Sequence, residues 1–308
     1  MELTDAKWIW CPKAEKKNAY VHFYCTFDKK SAGEPVELKI TAEGQYIAQV
    51  NGKIAAWGQY PDYPFYKVYQ THNITKFCLD GKNELLITVY YQGEDSLTHR
   101  RETPGVLFLM AQGESVLCRS TSEVLCAPDK RYQSGEIEKI SNQLGYGFCY
   151  RHNQRAFSIE DSMRALEIEK EAKLMPRELP QLCIEAAKKS MLQSQGVFWE
   201  KKSPGKTAAW GAQYAALGYR ELEDLTEAQP PVFFPNQQGA RFIKTEKDAH
   251  GIYLLLDLKQ EQSGLLKLEA QLPEGTKVLI GFGEHLTDLR VRTWIDGRNF
   301  CASYICLL

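Results

Sequence analysis

The sequence predicts a mainly β protein: two antiparallel β-sandwich domains of jelly-roll type, joined by a connector that carries a short helix. Three observations predict it. Apolar residues take every second position over many short runs, which is the period of a strand with one face on a core. Turn dipeptides separate those runs, and no helical pattern of roughly 10 to 15 residues alternates with them, so an antiparallel sandwich is expected rather than a parallel α/β sheet. The length of 308 residues allows two domains, each with its own core. The first is placed at 1–129, the connector at 130–180 with its helix at 159–173, and the second domain at 181–308.

In the first domain Val21, Phe23, Cys25 and Phe27 alternate, and Val36, Leu38, Ile40 and Ala42 repeat the pattern. Tyr46, Ala48 and Val50 lead to Asn51-Gly52, whose tolerance of positive φ suits a two-residue hairpin with a return strand through Ile54 toward Trp57. After the turn Asp80-Gly-Lys-Asn83, the residues Leu85, Ile87, Val89 and Tyr91 alternate, followed by Val106, Phe108 and Met110.

The stretch from Trp57 to Tyr66 is a turn-rich loop carrying Trp57, Tyr60, Tyr63, Phe65 and Tyr66. Sugars present apolar C–H faces that stack on aromatic rings, and their hydroxyls bond to polar groups such as Asp62. The candidate glycan-contacting residues are therefore Trp57, Tyr60, Asp62, Tyr63 and Tyr66. The same rings equally suit a cap on one end of the sandwich or a packing surface for a neighbouring domain.

In the connector, Ser158-Ile-Glu-Asp161 has capping-box spacing, and Met163, Leu166 and Lys170 follow at helical spacing until Pro176 and Pro180 stop the run. Gln143-Leu-Gly-Tyr-Gly-Phe-Cys-Tyr150 lacks the preceding strand and the Lys-Ser/Thr pair of a phosphate loop. In the second domain a short helix is read at Ala186–Leu192 and an irregular segment at 205–218. Alternation returns at Ile252, Leu254, Leu256 and Leu258, at Leu266, Leu268 and Ala270, and at Val278, Ile280 and Phe282. The run 300–308 reads as a strand without a polar tail, which predicts a second sandwich cut short at its C-terminal end, although a terminal strand buried in mid-sheet fits the same pattern.

Lys and Arg number 38 against 39 Asp and Glu and are interspersed with them, so nothing favours nucleic acid or an anionic membrane as partner. No apolar run approaches the roughly 20 residues that span a bilayer. The chain opens Met-Glu-Leu-Thr-Asp5 without a basic start and apolar stretch, and its 9 cysteines are an odd number, several in apolar alternations. Buried free thiols and a cytoplasmic location are expected. Glycoside hydrolysis needs two flanking carboxyl groups. The nearest clusters are Asp257 with Glu261, and Glu284 beside His285 close to Asp288; structural or inter-domain polar contacts are expected of them rather than catalysis. No metal-ligand spacing, serine-hydrolase elbow or cofactor motif is present, so no catalytic residue, metal or cofactor is assigned.

Several segments together resemble the N-terminal, non-catalytic region of bacterial α-L-rhamnosidases. They are Trp8-Ile-Trp10, Asn18-Ala-Tyr20 with Phe23-Tyr-Cys-Thr-Phe27, Tyr46-Ile-Ala-Gln-Val-Asn-Gly52, and Ile74-Thr75 leading to Gly81-Lys-Asn83. Further on come Gln143-Leu-Gly145, Leu174-Met-Pro-Arg-Glu-Leu-Pro180, Leu256-Asp-Leu258, Gly283-Glu-His-Leu286 and Gly297-Arg-Asn-Phe300. The family more often has Gly-Arg where this chain has Lys259-Gln260. The resemblance implies an accessory and scaffolding portion of an inverting glycoside hydrolase that releases L-rhamnose, with a rhamnose-containing glycan as ligand. Catalysis then belongs to an α/α barrel in cis that follows in the family, and the present chain alone is expected to be inactive. The alternatives are a stand-alone carbohydrate-binding protein and a structural or protein-interaction module.

Overall fold

The computed structural model describes residues 3–30, 33–60, 62–143, 145–183, 185, 190–200, 217–222, 249–265, 268, 270, 272–287, 290–292, 294–295, 298–299 and 303–307. The strands begin with β1 (Ile9–Trp10), β2 (Ala19–Lys29), β3 (Val36–Ala42), β4 (Gln45–Val50), β5 (Lys53–Gly58), β6 (Tyr66–Asn73) and β7 (Gly81–Tyr91). They continue with β8 (Val106–Gln112), β9 (Ser115–Arg119), β10 (Leu125–Pro128), β11 (Lys139–Ser141), β12 (Gly145–Tyr146), β13 (Phe148–Arg151), β14 (Met163–Arg164), β15 (Leu166–Glu167) and β16 (Lys173–Pro176). The remainder are β17 (Met191–Trp199), β18 (Gly218–Glu221), β19 (Gly251–Asp257), β20 (Lys277–Gly281), β21 (Leu286–Thr287), β22 (Arg290–Val291), β23 (Trp294–Ile295), β24 (Arg298–Asn299) and β25 (Ser303–Leu307). The chain divides into two units. One holds Met1–Ile137 and Asn153–Pro180; the other holds Glu138–His152 and Gln181–Leu308.

The first unit is a sandwich of two sheets. One runs β15-β1-β8-β3-β6-β16, with β9 also on β8; the other runs β14-β10-β2-β7-β4-β5. The alternating residues read from the sequence form its core: Val21, Phe23, Leu38, Ile40, Ala48, Val50, Leu85, Ile87, Val89, Phe108 and Met110 are all buried and belong to one apolar cluster drawn from both sheets. Each of the larger side chains contributes roughly 1.5–3 kcal/mol by leaving water. Antiparallel register sets Phe23 opposite Ile87, Ala48 opposite Ile87 and Ile40 opposite Phe108. Asn51 and Gly52 both have positive φ, 49° and 76°, and close the β4–β5 hairpin as their identities demand. Strand β8 is buried on both faces, because Leu107, Leu109 and Ala111 pack under Leu3, Ala6 and Trp8.

The helix expected at 159–173 does not form. Among the described residues the helical turns are two 3₁₀ segments of three residues, Leu3–Asp5 and Thr75–Phe77. Residues 159–162 make a turn, with the Ser162 hydroxyl donating to the Ile159 carbonyl at 2.6 Å and Asp161 paired with Lys130. The chain then edges both sheets: Met163 pairs with Cys126 on one, and Leu166 pairs with Trp10 on the other. Open sheet edges offered these residues backbone partners, and that outweighed a modest helical propensity. The segment read as a connector is thus shared, 130–137 and 153–180 in the sandwich and 138–152 in the second unit.

In the second unit β17 lies between β18 and β19, and β25 lies between β13, parallel to it, and β20, antiparallel. Met191 and Leu192, read as the end of a helix, begin β17; Ala186 lies outside the described residues. Leu268 and Ala270 are not in a strand, and Leu266 lies outside the described residues, as does most of 205–218. The strand expected within 300–308 is present as β25, in mid-sheet.

Candidate functional site

The aromatic loop crosses from β5, at the edge of the six-stranded sheet, to β6 in the seven-stranded sheet. Its entry is tight. A Cβ on Gly58 would meet the Gln70 side-chain oxygen at 2.1 Å and the Tyr46 ring at 2.6 Å, so only glycine fits. At its exit Tyr63 and Tyr66 exchange backbone hydrogen bonds of 3.1 and 3.0 Å, which closes a small hairpin with Pro64 and Phe65 at its tip. The rings of Tyr63 and Phe65 stack at 5.7 Å with an interplanar angle of 14°, and the two residues are 58% and 72% exposed.

The Asp62 carboxylate is bonded within the chain. It accepts bonds from Lys67 Nζ at 2.6 Å, from the Val68 amide at 2.8 Å and from Gln59 Nε2 at 2.8 Å, and the Asp62 side chain is 6% exposed. Burial pushes its carboxyl up against the opposing pull of Lys67 and the Val68 amide. Gln59 completes the anchor by accepting from the Ala42 amide at 3.1 Å.

Lys67, although charged, is fully buried. It lies 3.4 Å from Glu43, which in turn pairs at 2.8 Å with Lys170, itself buried and donating to the Thr103 carbonyl at 2.9 Å. Beneath the loop, two cations and two carboxylates thus form a chain from Asp62 to Lys170, whose ammonium also lies 5.4 Å from the Trp8 ring. Such a chain is held in its geometry because breaking either outer link leaves Asp62 or Lys170 buried and unpaired.

Trp57 is half-buried on β5 opposite Ile47, and Tyr60 is half-buried under Arg177, whose guanidinium lies 5.0 Å from the ring centroid. Tyr66 is 37% exposed. Of the five residues singled out from sequence, Tyr63 and Tyr66 are the ones open to solvent, joined by Phe65; Asp62 is the anchor. Sequence reasoning missed Lys67, Glu43, Lys170 and Gln59, because charged and amide side chains ordinarily read as solvent-facing positions. Nearby, Tyr46 Oη donates to Gln70 at 2.7 Å and lies 2.9 Å from His72 Nε2. Burial, with Arg177 adding to it, pushes His72 down to about 4, and burial raises the Tyr46 phenol.

The second cluster is less organised. Asp257 pairs with Lys259 at 2.9 Å and accepts its amide at 2.7 Å, while Glu261, Glu284 and His285 are exposed. Among the described residues no two of these carboxylates form a bonded pair, and Asp288 lies outside the described residues. Among the described residues no group of three His, Cys, Asp or Glu side chains is placed to hold a metal, and no helix is long and apolar enough to cross a membrane.

No protein-family profile and no curated protein matches the chain. Solved structures do. A GH78-family rhamnosidase from Bacillus sp. GL1 aligns with a TM-score of 0.58 and 21% identity over 64% of this chain and 22% of its own. An α-L-rhamnosidase from Aspergillus terreus aligns with a TM-score of 0.45 and 15% identity over 91% of this chain and 38% of its own. A Pleurotus ostreatus lectin aligns with a TM-score of 0.35 and 15% identity over 55% of this chain and 43% of its own. The first likeness shows a shared β-sandwich fold. The chain spans about a fifth of that rhamnosidase's length, 22%.

Proposed function

We propose that this chain is the accessory portion of an α-L-rhamnosidase-like glycoside hydrolase. Its sandwich supports a separate catalytic domain and offers the Tyr63–Phe65 face to a saccharide. The observation that carries this reading is the pair of stacked, exposed rings held on a loop whose base is pinned by buried ion pairs. Pyranose C–H faces stack on such rings, and a loop already fixed in place loses little conformational entropy on binding. The shared sandwich fold with the Bacillus rhamnosidase supports the same reading. Rhamnose as the sugar, and an inverting hydrolysis by a barrel in cis, follow from the resemblance of the motifs.

The test has two arms. Titration with L-rhamnose and rhamnosides, followed by NMR or calorimetry, is expected to perturb the loop, and Phe65→Ala or Tyr63→Ala is expected to weaken binding roughly 5- to 10-fold, the worth of one aromatic contact. Release of L-rhamnose from an aryl rhamnoside is expected only when the chain is joined to a catalytic domain. Binding without such a requirement supports the stand-alone carbohydrate-binding alternative. Absence of binding, together with hydrolysis by the isolated chain, overturns the proposal.

A further inference from the structure

Four cysteines of the first unit lie against its central core in two pairs, and each pair joins the two sheets. Cys11 directly follows β1 of the seven-stranded sheet, and Cys126 lies in β10 of the six-stranded sheet; they are 1% and 0% exposed. Cys25 lies in β2 of the six-stranded sheet and Cys118 in β9 of the seven-stranded sheet; both are half-buried. Strands β2 and β9 belong to different sheets yet lie in contact, and all four cysteines are part of, or packed against, one apolar cluster. Within each pair the two thiols lie close enough for one to shift the other's ionisation: Cys118 raises the resistance of Cys25 to losing its proton, and Cys11 does the same to Cys126. All four are free.

Strand β9 pairs with β8 alone among the described strands, so one side of it is an edge. An edge strand that carries a half-buried thiol admits a small reagent; the Cys11–Cys126 pair, sealed inside, does not. We propose that Cys25 and Cys118 form an oxidation site, a dithiol that closes to a disulfide between the two sheets when the folded chain meets a low-molecular-weight disulfide, while Cys11 and Cys126 stay reduced until the sandwich opens.

The chemistry balances without a further oxidant. Cys118 attacks as thiolate, its proton going to the first small thiol released, and a mixed disulfide forms on its sulfur. Contact with Cys118 and burial keep the Cys25 proton in place until this point. Cys25 then attacks the Cys118 sulfur, the mixed disulfide breaks, and the second small thiol departs with the Cys25 proton. Two protein S–H bonds and one reagent S–S bond are exchanged for one protein S–S bond and two reagent S–H bonds. The new link closes a long loop across the sandwich and restricts the unfolded chain, so a Tm rise of roughly 5–15 °C is expected.

The full chain carrying Cys183→Ser, which removes the thiol that is exposed among the described residues and would exchange between molecules, is incubated natively with oxidised glutathione. It is then alkylated and digested without reduction for mass spectrometry. The expected result is a Cys25–Cys118 linked peptide pair that has lost two hydrogens, with Cys11 and Cys126 alkylated only after denaturation. The Tm rise should vanish in Cys118→Ser. Recovery of Cys25 and Cys118 as alkylated or singly glutathionylated thiols overturns the proposal, as does linkage of Cys25 to any other cysteine. Peptide mapping of the parent chain decides the matter even if a serine variant folds poorly.

Discussion

Lys67 is the residue on which the candidate loop depends most. Its ammonium bridges Asp62 and Glu43 in a place closed to water. Lys67→Ala leaves the buried Asp62 without its cation and Glu43 with Lys170 alone, and removing one partner of a buried pair costs about 3–5 kcal/mol. The expected outcome is a large fall in Tm by calorimetry together with loss of ordered Tyr63 and Phe65 signals. Lys67→Met combined with Asp62→Leu, which removes both charges, should recover part of the stability. Little of this was legible beforehand. The aromatic side chains announced a loop, but whether Asp62 faced a sugar or a buried lysine depended on Lys67, which follows the loop directly in sequence and whose burial is set by the segments around Glu43 and Lys170 packed over it.

At the scale of elements, alternation alone located β2, β3, β4, β7 and β8, because a strand with one face on a core must place its apolar side chains at every second residue. Asn51-Gly52 was equally plain, since a two-residue hairpin needs positive φ at both positions. The segment 159–173 was misread, because its capping-box spacing and helix formers are weak local preferences set against unpaired sheet edges near Cys126 and Trp10. The loop entry offers a sharper test. Gly58→Ala places a methyl group 2.1 Å from Gln70 and 2.6 Å from the Tyr46 ring. Overpacking of this kind costs about 1–3 kcal/mol. Urea unfolding should show a lower midpoint for the variant with an unchanged slope, whereas Gly52→Ala, with no neighbour within 4 Å of its Cβ, should lose only what its positive φ demands.

For the first unit as a whole, His72 and Asp129 are two of the groups that shape how the fold responds to acid. His72 is depressed from 6.5 to about 4, so its proton binds the unfolded chain preferentially. The stability it confers is complete above the unfolded value and drains away as pH falls from about 6.5 through 4, at most about 3 kcal/mol in all. Asp129 titrates lower. Burial raises its carboxyl, but His22 at 3.0 Å and the bonds from Arg131 outweigh this and hold it down at about 2, against 3.8 ordinarily. Its stabilisation is lost in a second step as pH falls from about 4 toward 2. Thermal unfolding across pH 2 to 7 should show both losses, with His72→Gln flattening the upper one and Asp129→Asn the lower; an unaltered profile in either variant counts against that assignment. The sequence by itself determined the mainly β class, the core strands, the hairpin and the aromatic loop, because periodicity and turn chemistry are local and repeat along the chain. Only the tertiary structure decided that 163–167 would edge two sheets, that Asp62 and Lys67 would be buried together, and which cysteines would face one another, because each of these depends on which distant segment arrives to supply a partner.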